Sequence, residues 1–389
     1  MRHPWRGLAG LPRELWILAA ATFVNRAGTM ALPFLALYLT RERGLSAGAA
    51  SIALFTYGLG ALLTGPLSGR LSDGIGPRPI LLGSLLLGGS LMMALPLADS
   101  AALRLPIVFL WAFTGEAFRP ASMAIVGSLA PPGRTRAAFA LHRLSVNLGL
   151  SIGPLTGGLL AAVSFPALFV VDGLTALAAA GVILLFFPVR PPAPGPVRRG
   201  VLAGLRDRRL VAFLLALFPV LLCFFQLGGA LPLWMARDLG FSEARIGALF
   251  TLNTALIILC EVPLTGLMEK VSHRRVLALG ALLTGAGFGG LAWVHDLAGL
   301  AAMFVVWTMG EMILLPASNA YAAELAPHGR RGEYAGLYTL TFSLGFSLGP
   351  ALGVLMLDRF GGPAIWSGAF GCALLAALLM LRLPPARAG

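Results

Sequence analysis

Long apolar stretches follow one another along nearly the whole chain, and they restrict its fold more than any other feature. A stretch of about 18 or more apolar residues can cross a bilayer as a helix, because a helix satisfies its backbone hydrogen bonds internally. The chain is 58% hydrophobic and only 12% charged, and a soluble protein of 389 residues could not cover such a surface with polar groups. The sequence therefore predicts an all-α membrane protein of twelve transmembrane helices, at residues 15–40, 47–69, 79–97, 101–128, 137–162, 164–188, 208–236, 243–268, 276–294, 297–325, 332–357 and 363–382.

The basic residues alternate between the two sets of loops that these spans define. One set holds most of the 29 arginine and lysine residues, and the richer set is expected on the cytoplasmic side. We therefore expect a multi-pass protein of the cell membrane, of the bacterial inner-membrane type, with both termini in the cytoplasm. The net charge of +13 follows this alternation and not the clustered pattern of a nucleic-acid-binding surface, so no nucleic-acid partner is expected.

The second half of the chain repeats the pattern of the first half. For example, the loop Ala130-Pro-Pro-Gly-Arg134 corresponds to Ala326-Pro-His-Gly-Arg330 at an offset of 196 positions. Half-chain repeats in a helical membrane protein predict two pseudo-symmetric six-helix bundles about an axis along the membrane normal. We expect an N-terminal bundle at 1–188, a proline-rich cytoplasmic linker at 189–207 and a C-terminal bundle at 208–389.

Glu116 and Glu311 lie inside two long apolar stretches that are copies of each other, each starting with Trp and ending with Pro-Ala-Ser. A carboxylate at membrane depth is costly, so it persists mainly where it faces a cavity, a partner or a transported species. A carboxyl group whose surroundings change with conformation can take up and release a proton. We therefore interpret both glutamates as proton-coupling residues of a transporter. A static ion pair, for example of Glu116 with Arg119 or Arg26, is the alternative interpretation.

A glycine-rich loop between the second and third predicted spans reads Gly-Arg-Leu-Ser-Asp-Gly-Ile-Gly-Pro-Arg, from Gly69 to Arg78. It resembles the signature loop of the major facilitator superfamily, Gly-x-Leu-x-Asp-x-x-Gly-x-Arg/Lys. Gly69 allows a close helix approach, and Gly76 permits a turn with positive φ. Asp73 can accept hydrogen bonds from a neighbouring helix N-terminus or from Arg78. The resemblance covers essentially the whole chain, and it implies the major facilitator fold with this loop in a cytoplasmic gate.

The corresponding loop of the second half, at 266–275, has lost most of this signature. We therefore expect other charged residues near the cytoplasmic ends of the later spans to complete the gate. Glu324 is expected to pair with Arg330 or Arg331. Glu261, before a proline near the end of the eighth span, is interpreted as a further member of the gate.

The fifth predicted span contains Gly149-x-x-x-Gly153-Pro154-x-x-Gly157-Gly158. This pattern resembles the antiporter signature of the drug:proton exporters of the superfamily, although that signature begins with a glycine where this chain has Ala140. Small residues on one face allow tight helix contact, and Pro154 is expected to kink the helix. Because the second half repeats much of the pattern from Gly345, ordinary helix packing remains the alternative explanation.

In the superfamily, spans 1, 4, 7 and 10 line a central cavity, and the resemblance implies that the polar residues there contact the substrate. Arg26 either holds an anionic group of the substrate or serves as a counter-ion of Glu116, and Arg119 is interpreted as a counter-ion. Asp172 is expected to form a local cap or ion pair, and His142 is expected at the membrane interface. The full set of cavity candidates is Asn25, Arg26, Arg119, Tyr57, Asn147, Gln226, Asn253, Asn319 and Tyr338.

These features together predict a secondary active transporter that exports amphipathic small molecules or drugs in exchange for protons. The alternative is a proton-coupled importer of peptides or other small polar solutes. The first span resembles the proton-dependent peptide transporters in Arg26 but lacks their two glutamates, at Thr22 and Asn25. No enzyme motif stands in a plausible context, so we expect no catalytic residues, no cofactor and no metal. The expected partners are a small-molecule substrate and the lipid bilayer, and the protein is expected to be a monomer.

Overall fold

The structure is a computed structural model that describes residues 10–131, 135–188, 205–268, 271–327 and 331–384. Within these ranges the chain folds almost entirely into helices, and eleven helical segments are long and apolar enough to cross a membrane. The predicted all-α membrane protein is thereby confirmed. The last of the eleven segments, Tyr334–Leu381, has 48 residues and contains most of the two final predicted spans.

In the described residues up to 188, the chain forms eight α-helices. Their bounds are α1 (Arg13–Gly28), α2 (Ala31–Leu37), α3 (Ala47–Ile75), α4 (Pro77–Ala94), α5 (Ala101–Gly115), α6 (Phe118–Leu129), α7 (Thr135–Val163) and α8 (Phe165–Phe186). A π-helical turn at Tyr38–Glu42 extends α2, and a 3-10 turn at Leu95–Leu97 extends α4.

The described residues from 205 onward form six further α-helices. Their bounds are α9 (Arg208–Phe224), α10 (Ala230–Arg237), α11 (Glu243–Met268), α12 (His273–Gly290), α13 (Leu297–Leu325) and α14 (Arg331–Leu381). Gly361 has a φ of +77° and interrupts the long helix α14, and Pro363 follows this break. Short 3-10 turns at Phe225–Gly228 and Leu291–Trp293 extend α9 and α12.

The first predicted span is broken between α1 and α2. Because the break leaves backbone donors unpaired within the helix, they need other partners. The N–H groups of Met30 and Ala31 donate to Asp172 Oδ2 on α8, at 3.1 and 2.9 Å. Asp172 therefore caps α2, as predicted, but the residues that it caps are 142 and 141 positions away in the sequence and not local.

The fourth predicted span is also broken, at Glu116 and Ala117 between α5 and α6. Pro120 occupies the first turn of α6, where a missing N–H costs no helical hydrogen bond. Its ring would collide with the carbonyl of Glu116 in an unbroken helix. The break places Glu116 in a turn, whereas its counterpart Glu311 lies within the continuous helix α13.

The chain divides into two compact units. The first unit comprises Met1–Phe34, Thr56–Pro196 and Ser242–Thr251, and the second comprises Leu35–Phe55, Val197–Phe241 and Leu252–Gly389. Each unit has its own apolar core: α1, α4, α6, α7 and α8 contribute to the first, and α9, α12, α13 and α14 contribute to the second. Many large apolar side chains remain exposed, including Leu185 at 78% and Leu267 at 72%, which suits contact with lipid.

Candidate functional site

Glu116 is held by a hydrogen bond from a neighbouring helix of the first unit. The Tyr57 hydroxyl on α3 donates to Glu116 Oε1 at 2.9 Å. Tyr57 is itself 5% exposed, and its ring meets the Trp111 ring edge-on at 4.9 Å between centroids. The half-buried glutamate therefore has a fixed donor on α3, and Trp111 on α5 orients that donor.

Glu311 is held in the same manner in the second unit. Asn253 Nδ2 on α11 donates to Glu311 Oε2 at 2.9 Å and to Thr308 Oγ1 at 3.0 Å. Thr308 in turn donates to the carbonyl of Phe304, one turn earlier on α13. The amide of Asn253 thus bridges two side chains of α13 and fixes the position of the carboxylate.

Tyr57 and Asn253 lie 196 positions apart on corresponding helices of the duplicated chain, α3 and α11. The two glutamates are 195 positions apart, so Glu116 lies one residue later in its copy than Glu311 does. In a continuous helix this shift would turn the side chain by roughly 100°. The helix is broken at Glu116 and Ala117, and both carboxylates reach a donor on the corresponding helix of their own unit.

Arg26 and Arg119 do not form the ion pair that was the alternative interpretation of Glu116. Among the described residues, neither guanidinium has a carboxylate within the 4.0 Å that defines an ion pair. The guanidinium carbon of Arg26 instead lies 5.1 Å from the centre of the Phe118 ring, a cation–π arrangement. The side chain of Arg119 is exposed. These arginines therefore remain electrostatic neighbours of Glu116 without direct pairing.

A second polar contact occurs within each of the two units. Ser122 Oγ lies 3.5 Å from His142 Nε2, and Ser318 Oγ lies 2.8 Å from the Tyr338 hydroxyl. Both members of the first pair are separated from their counterparts by 196 positions. His142 is only 8% exposed, so its side chain packs inside the first unit. Sequence analysis missed this pair, although the repeat offset aligns its residues.

The other predicted cavity residues are less clearly placed for ligand contact. Gln226 donates to the carbonyls of Leu222 and Gly349, at 2.8 and 2.9 Å, and is 6% exposed, so it joins α9 to α14. Asn319 Nδ2 donates to a carbonyl of its own helix at 3.2 Å. The side chains of Asn25 and Asn147 are half-buried on α1 and α7.

The glycines of the antiporter-like pattern serve close helix contact in the first unit. A Cβ at Gly149 would lie 2.5 Å from the Cβ of Arg26, and one at Gly153 would lie 2.9 Å from the carbonyl oxygen of Thr29. A Cβ at Gly157 would lie 2.6 Å from the Cβ of Met30. The second unit uses Gly345, Gly349 and Gly353 in the same manner against α9 and the turn after it. Helix packing therefore explains most of the repeated pattern.

Pro154 and Gly158 of α7 also contact the N-terminal turns of α11, within the first unit. A Cβ at Gly158 would lie 2.3 Å from the carbonyl oxygen of Glu243, and one at Gly247 would lie 2.3 Å from that of Pro154. The backbones of α7 and α11 therefore touch without intervening side chains. Pro154 lies within the continuous helix α7.

The gate residues are only partly described. Gly76 has a φ of +87°, which confirms the predicted turn, and Glu261 is 8% exposed. Glu324 Oε2 lies 3.0 Å from His273 Nε2, a partner that sequence analysis missed. Two predicted partners of Glu324, Arg330 and the side chain of Arg331, lie outside the described part of the chain. The side chain of Asp73 and the surroundings of Gly69 also lie outside it. Arg78 is half-buried.

Among the described residues, no group of three or more histidine, cysteine, aspartate or glutamate side chains is placed to hold a metal ion. The three cysteines, Cys223, Cys260 and Cys372, are free thiols.

Comparison with known proteins supplies a family. A model of the Major Facilitator Superfamily matches residues 17–233 and 213–389. The chain is 26% identical to the MFS-type transporter YqjV of Bacillus subtilis, over 82% of this chain and 81% of the relative. It is 26% identical to the multidrug resistance protein MdtH of Aeromonas salmonicida, over 84% and 83%. It is 24% identical to a Na(+), Li(+), K(+)/H(+) antiporter of Planococcus maritimus, over 84% and 85%.

Solved structures show the same fold. A crystal structure of a POT family transporter in complex with a thioalcohol conjugated peptide superposes with a TM-score of 0.82 and covers 97% of each chain. Its sequence is 19% identical, so the similarity establishes the fold alone.

Proposed function

We propose that this chain, which belongs to the Major Facilitator Superfamily, is a proton-coupled exporter of amphipathic small molecules that works by alternating access. The family match makes it a multi-pass membrane transporter and not an enzyme. Its bacterial relatives, which include a multidrug resistance protein and a cation/proton antiporter, favour export and proton exchange. The proposed membrane is accordingly a bacterial inner membrane, with both termini in the cytoplasm.

The proposal retains twelve crossings in two six-helix bundles. The 48 residues of Tyr334–Leu381 are about twice what one crossing needs, and the break at Gly361 divides them. The bundles are proposed at 1–188 and 208–389, with the linker at 189–207 between them. The proposed transporter acts as a monomer and uses protons as its coupling ion.

The observation that carries the proposal is the pair of equivalent hydrogen bonds from Tyr57 to Glu116 and from Asn253 to Glu311. A donor fixed on a separate helix stabilises a carboxylate in apolar surroundings. If the two helices separate during the transport cycle, the carboxylate loses this donor and is more readily neutralised by a proton. Each glutamate thereby links its proton to the arrangement of the helices around it.

The test is transport driven by a pH gradient in proteoliposomes. We expect an amphipathic fluorescent dye to accumulate in vesicles with an acidic lumen that contain the native protein. Glu116→Gln and Glu311→Gln should each lower this accumulation at least about tenfold, while exchange of labelled for unlabelled dye without a gradient continues. Glu42→Gln, which removes an exposed glutamate, is the matched control. Undiminished accumulation in both variants would reject proton coupling through these residues.

The second candidate is a proton-coupled importer of peptides or other small polar solutes. Arg26 in the first span favours it, but the likeness to peptide transporters in structure supports only the fold. The same vesicles separate the two candidates. An importer would accumulate labelled dipeptide inside vesicles whose lumen is more alkaline than the outside solution. The proposed exporter would not.

A further inference from the structure

Two basic side chains of the first unit lie along one face of α6. Phe118 and Ser122 are four residues apart on this helix and so share a face. The guanidinium of Arg26 lies over the Phe118 ring at 5.1 Å, and His142 Nε2 lies 3.5 Å from Ser122 Oγ. Arg119 is the residue after Phe118, and both arginines interact electrostatically with His142. Helices α1, α6 and α7 therefore bring Arg26, Arg119 and His142 together.

Two atoms of this cluster are buried and lack hydrogen-bond partners among the described residues. They are Nε of Arg26 and Nδ1 of His142. His142 is more than nine-tenths buried, and Ser122 occupies the side of its Nε2. The Ser122 hydroxyl also donates to the carbonyl of Arg119 at 3.0 Å. Buried polar atoms without partners are costly and call for a ligand or another partner.

The acids nearby are already engaged. Glu116 accepts from Tyr57, and Asp172 accepts from the backbone at Met30 and Ala31. Neither acid forms an ion pair with Arg26 within the described residues. The guanidinium groups thus retain their capacity to bind an anion.

The cluster is restricted to one copy of the duplicated chain. The equivalents of Arg26, Arg119 and His142 at the offset of 196 are Leu222, Leu315 and Tyr338. Conserved packing of the two halves therefore does not require these basic groups. A feature that one copy has and the other lacks points to a ligand rather than to the fold.

We propose that Arg26, Arg119 and His142 form a site for the anionic group, a carboxylate or sulfonate, of an amphipathic substrate. The Phe118 ring beneath Arg26 and the Tyr57 and Trp111 rings supply apolar surface near the charge. This site would specify the substrate class of the proposed transporter, and the inference rests on that proposed function. Because Glu116 binds Tyr57 and not Arg26, the group that binds the anion is separate from the group that carries the proton.

A matched pair of fluorescent probes tests the site in the purified full-length protein. The anionic probe is 8-anilinonaphthalene-1-sulfonate, and N-phenyl-1-naphthylamine has the same rings without the sulfonate. Binding is measured in phosphatidylcholine nanodiscs, with empty nanodiscs subtracted. Arg26→Gln should weaken sulfonate binding about tenfold or more, the usual effect of losing a charged hydrogen bond. Binding of the neutral probe should change less than about twofold.

Further variants keep the test decisive if Arg26→Gln folds poorly. Arg119→Gln removes an exposed side chain and should weaken sulfonate binding at least about threefold. His142→Tyr introduces the residue of the second copy and should act in the same direction. Arg26→Lys should retain most of the affinity. Arg143→Gln, which removes an exposed charge beside His142, is the control and should bind both probes as the native protein does.

Unchanged sulfonate binding in Arg119→Gln, or in a folded Arg26→Gln, would overturn the proposal, as would an equal loss of both probes. Nanodiscs containing about one third phosphatidylglycerol distinguish a lipid headgroup from a substrate. Abolition of sulfonate binding there would assign the cluster to anionic lipid and overturn the substrate site. Failure of proton coupling in Glu116→Gln and Glu311→Gln is a separate readout, because the binding assay uses no pH gradient and measures no transport.

Discussion

Tyr57 and Asn253 lie on corresponding helices of the two halves, and each donates a 2.9 Å hydrogen bond to the glutamate of its own unit. The donors differ in chemistry, one a phenol and the other an amide. Their acceptors also differ by one residue in register. Each half therefore holds a glutamate by a donor on a neighbouring helix, although the chemistry of the donor differs.

Removal of the Tyr57 hydroxyl should impair transport while the packing remains. Tyr57→Phe retains the ring against Trp111 but leaves Glu116 without its donor, a loss of about 1 kcal/mol. We expect pH-gradient-driven accumulation to fall about fivefold. Tyr334→Phe removes a hydroxyl that donates to Asp207 at 2.6 Å, and it serves as the control. Native transport by Tyr57→Phe would contradict a role for this hydrogen bond.

Asp172 should be replaceable by asparagine but not by valine. Asparagine keeps an oxygen that can accept from Met30 and Ala31, whereas valine leaves both N–H groups unpaired. We expect Asp172→Val to lower stability by about 1–2 kcal/mol, the usual cost of losing a helix cap. Thermal unfolding in detergent measures the change. If Asp172→Asn were as destabilised as Asp172→Val, the negative charge and not the acceptor would be required.

Gly149→Ala should destabilise the first unit. Its Cβ would lie 2.5 Å from the Cβ of Arg26 and 2.8 Å from the backbone nitrogen of Ala27. Because neither atom is the end of a flexible side chain, α1 and α7 must separate, at a cost of about 1–3 kcal/mol. Gly83→Ala, on α4, meets no atom within 4 Å and should instead stabilise by about 0.5–1 kcal/mol. Opposite shifts of the unfolding temperature would support this assignment, and equal shifts would refute it.

Gly76→Ala should be destabilising for a reason of backbone conformation. Gly76 has a φ of +87°, and a side chain there is strained by about 1–2 kcal/mol. The matched control is Gly74→Ala. Gly74 lies two residues earlier, within α3, and a Cβ added there would meet no atom within 4 Å. Unfolding temperatures of the two variants in the same detergent measure the difference. A stable Gly76→Ala variant would show that the loop can adopt another conformation.

Sequence alone predicted the helices well wherever apolar length decides the structure. The expected spans at 243–268 and 297–325 coincide with Glu243–Met268 and Leu297–Leu325. It did not predict the breaks before Ala31 and at Glu116, because apolar composition is the same on both sides of them. Nor could it identify Tyr57 as the donor to Glu116, since composition does not fix how a helix is rotated about its axis.

The cap that Asp172 provides for α2 also orders the assembly of the protein in the membrane. The two amides that it binds leave the ribosome about 140 residues before it does, as the separation of 142 positions from Met30 shows. Until α8 arrives, these amides have no acceptor in the first unit and must be served by water or lipid headgroups. We therefore expect the N-terminus of α2 to gain its final hydrogen bonds only after the sixth predicted span has entered the membrane.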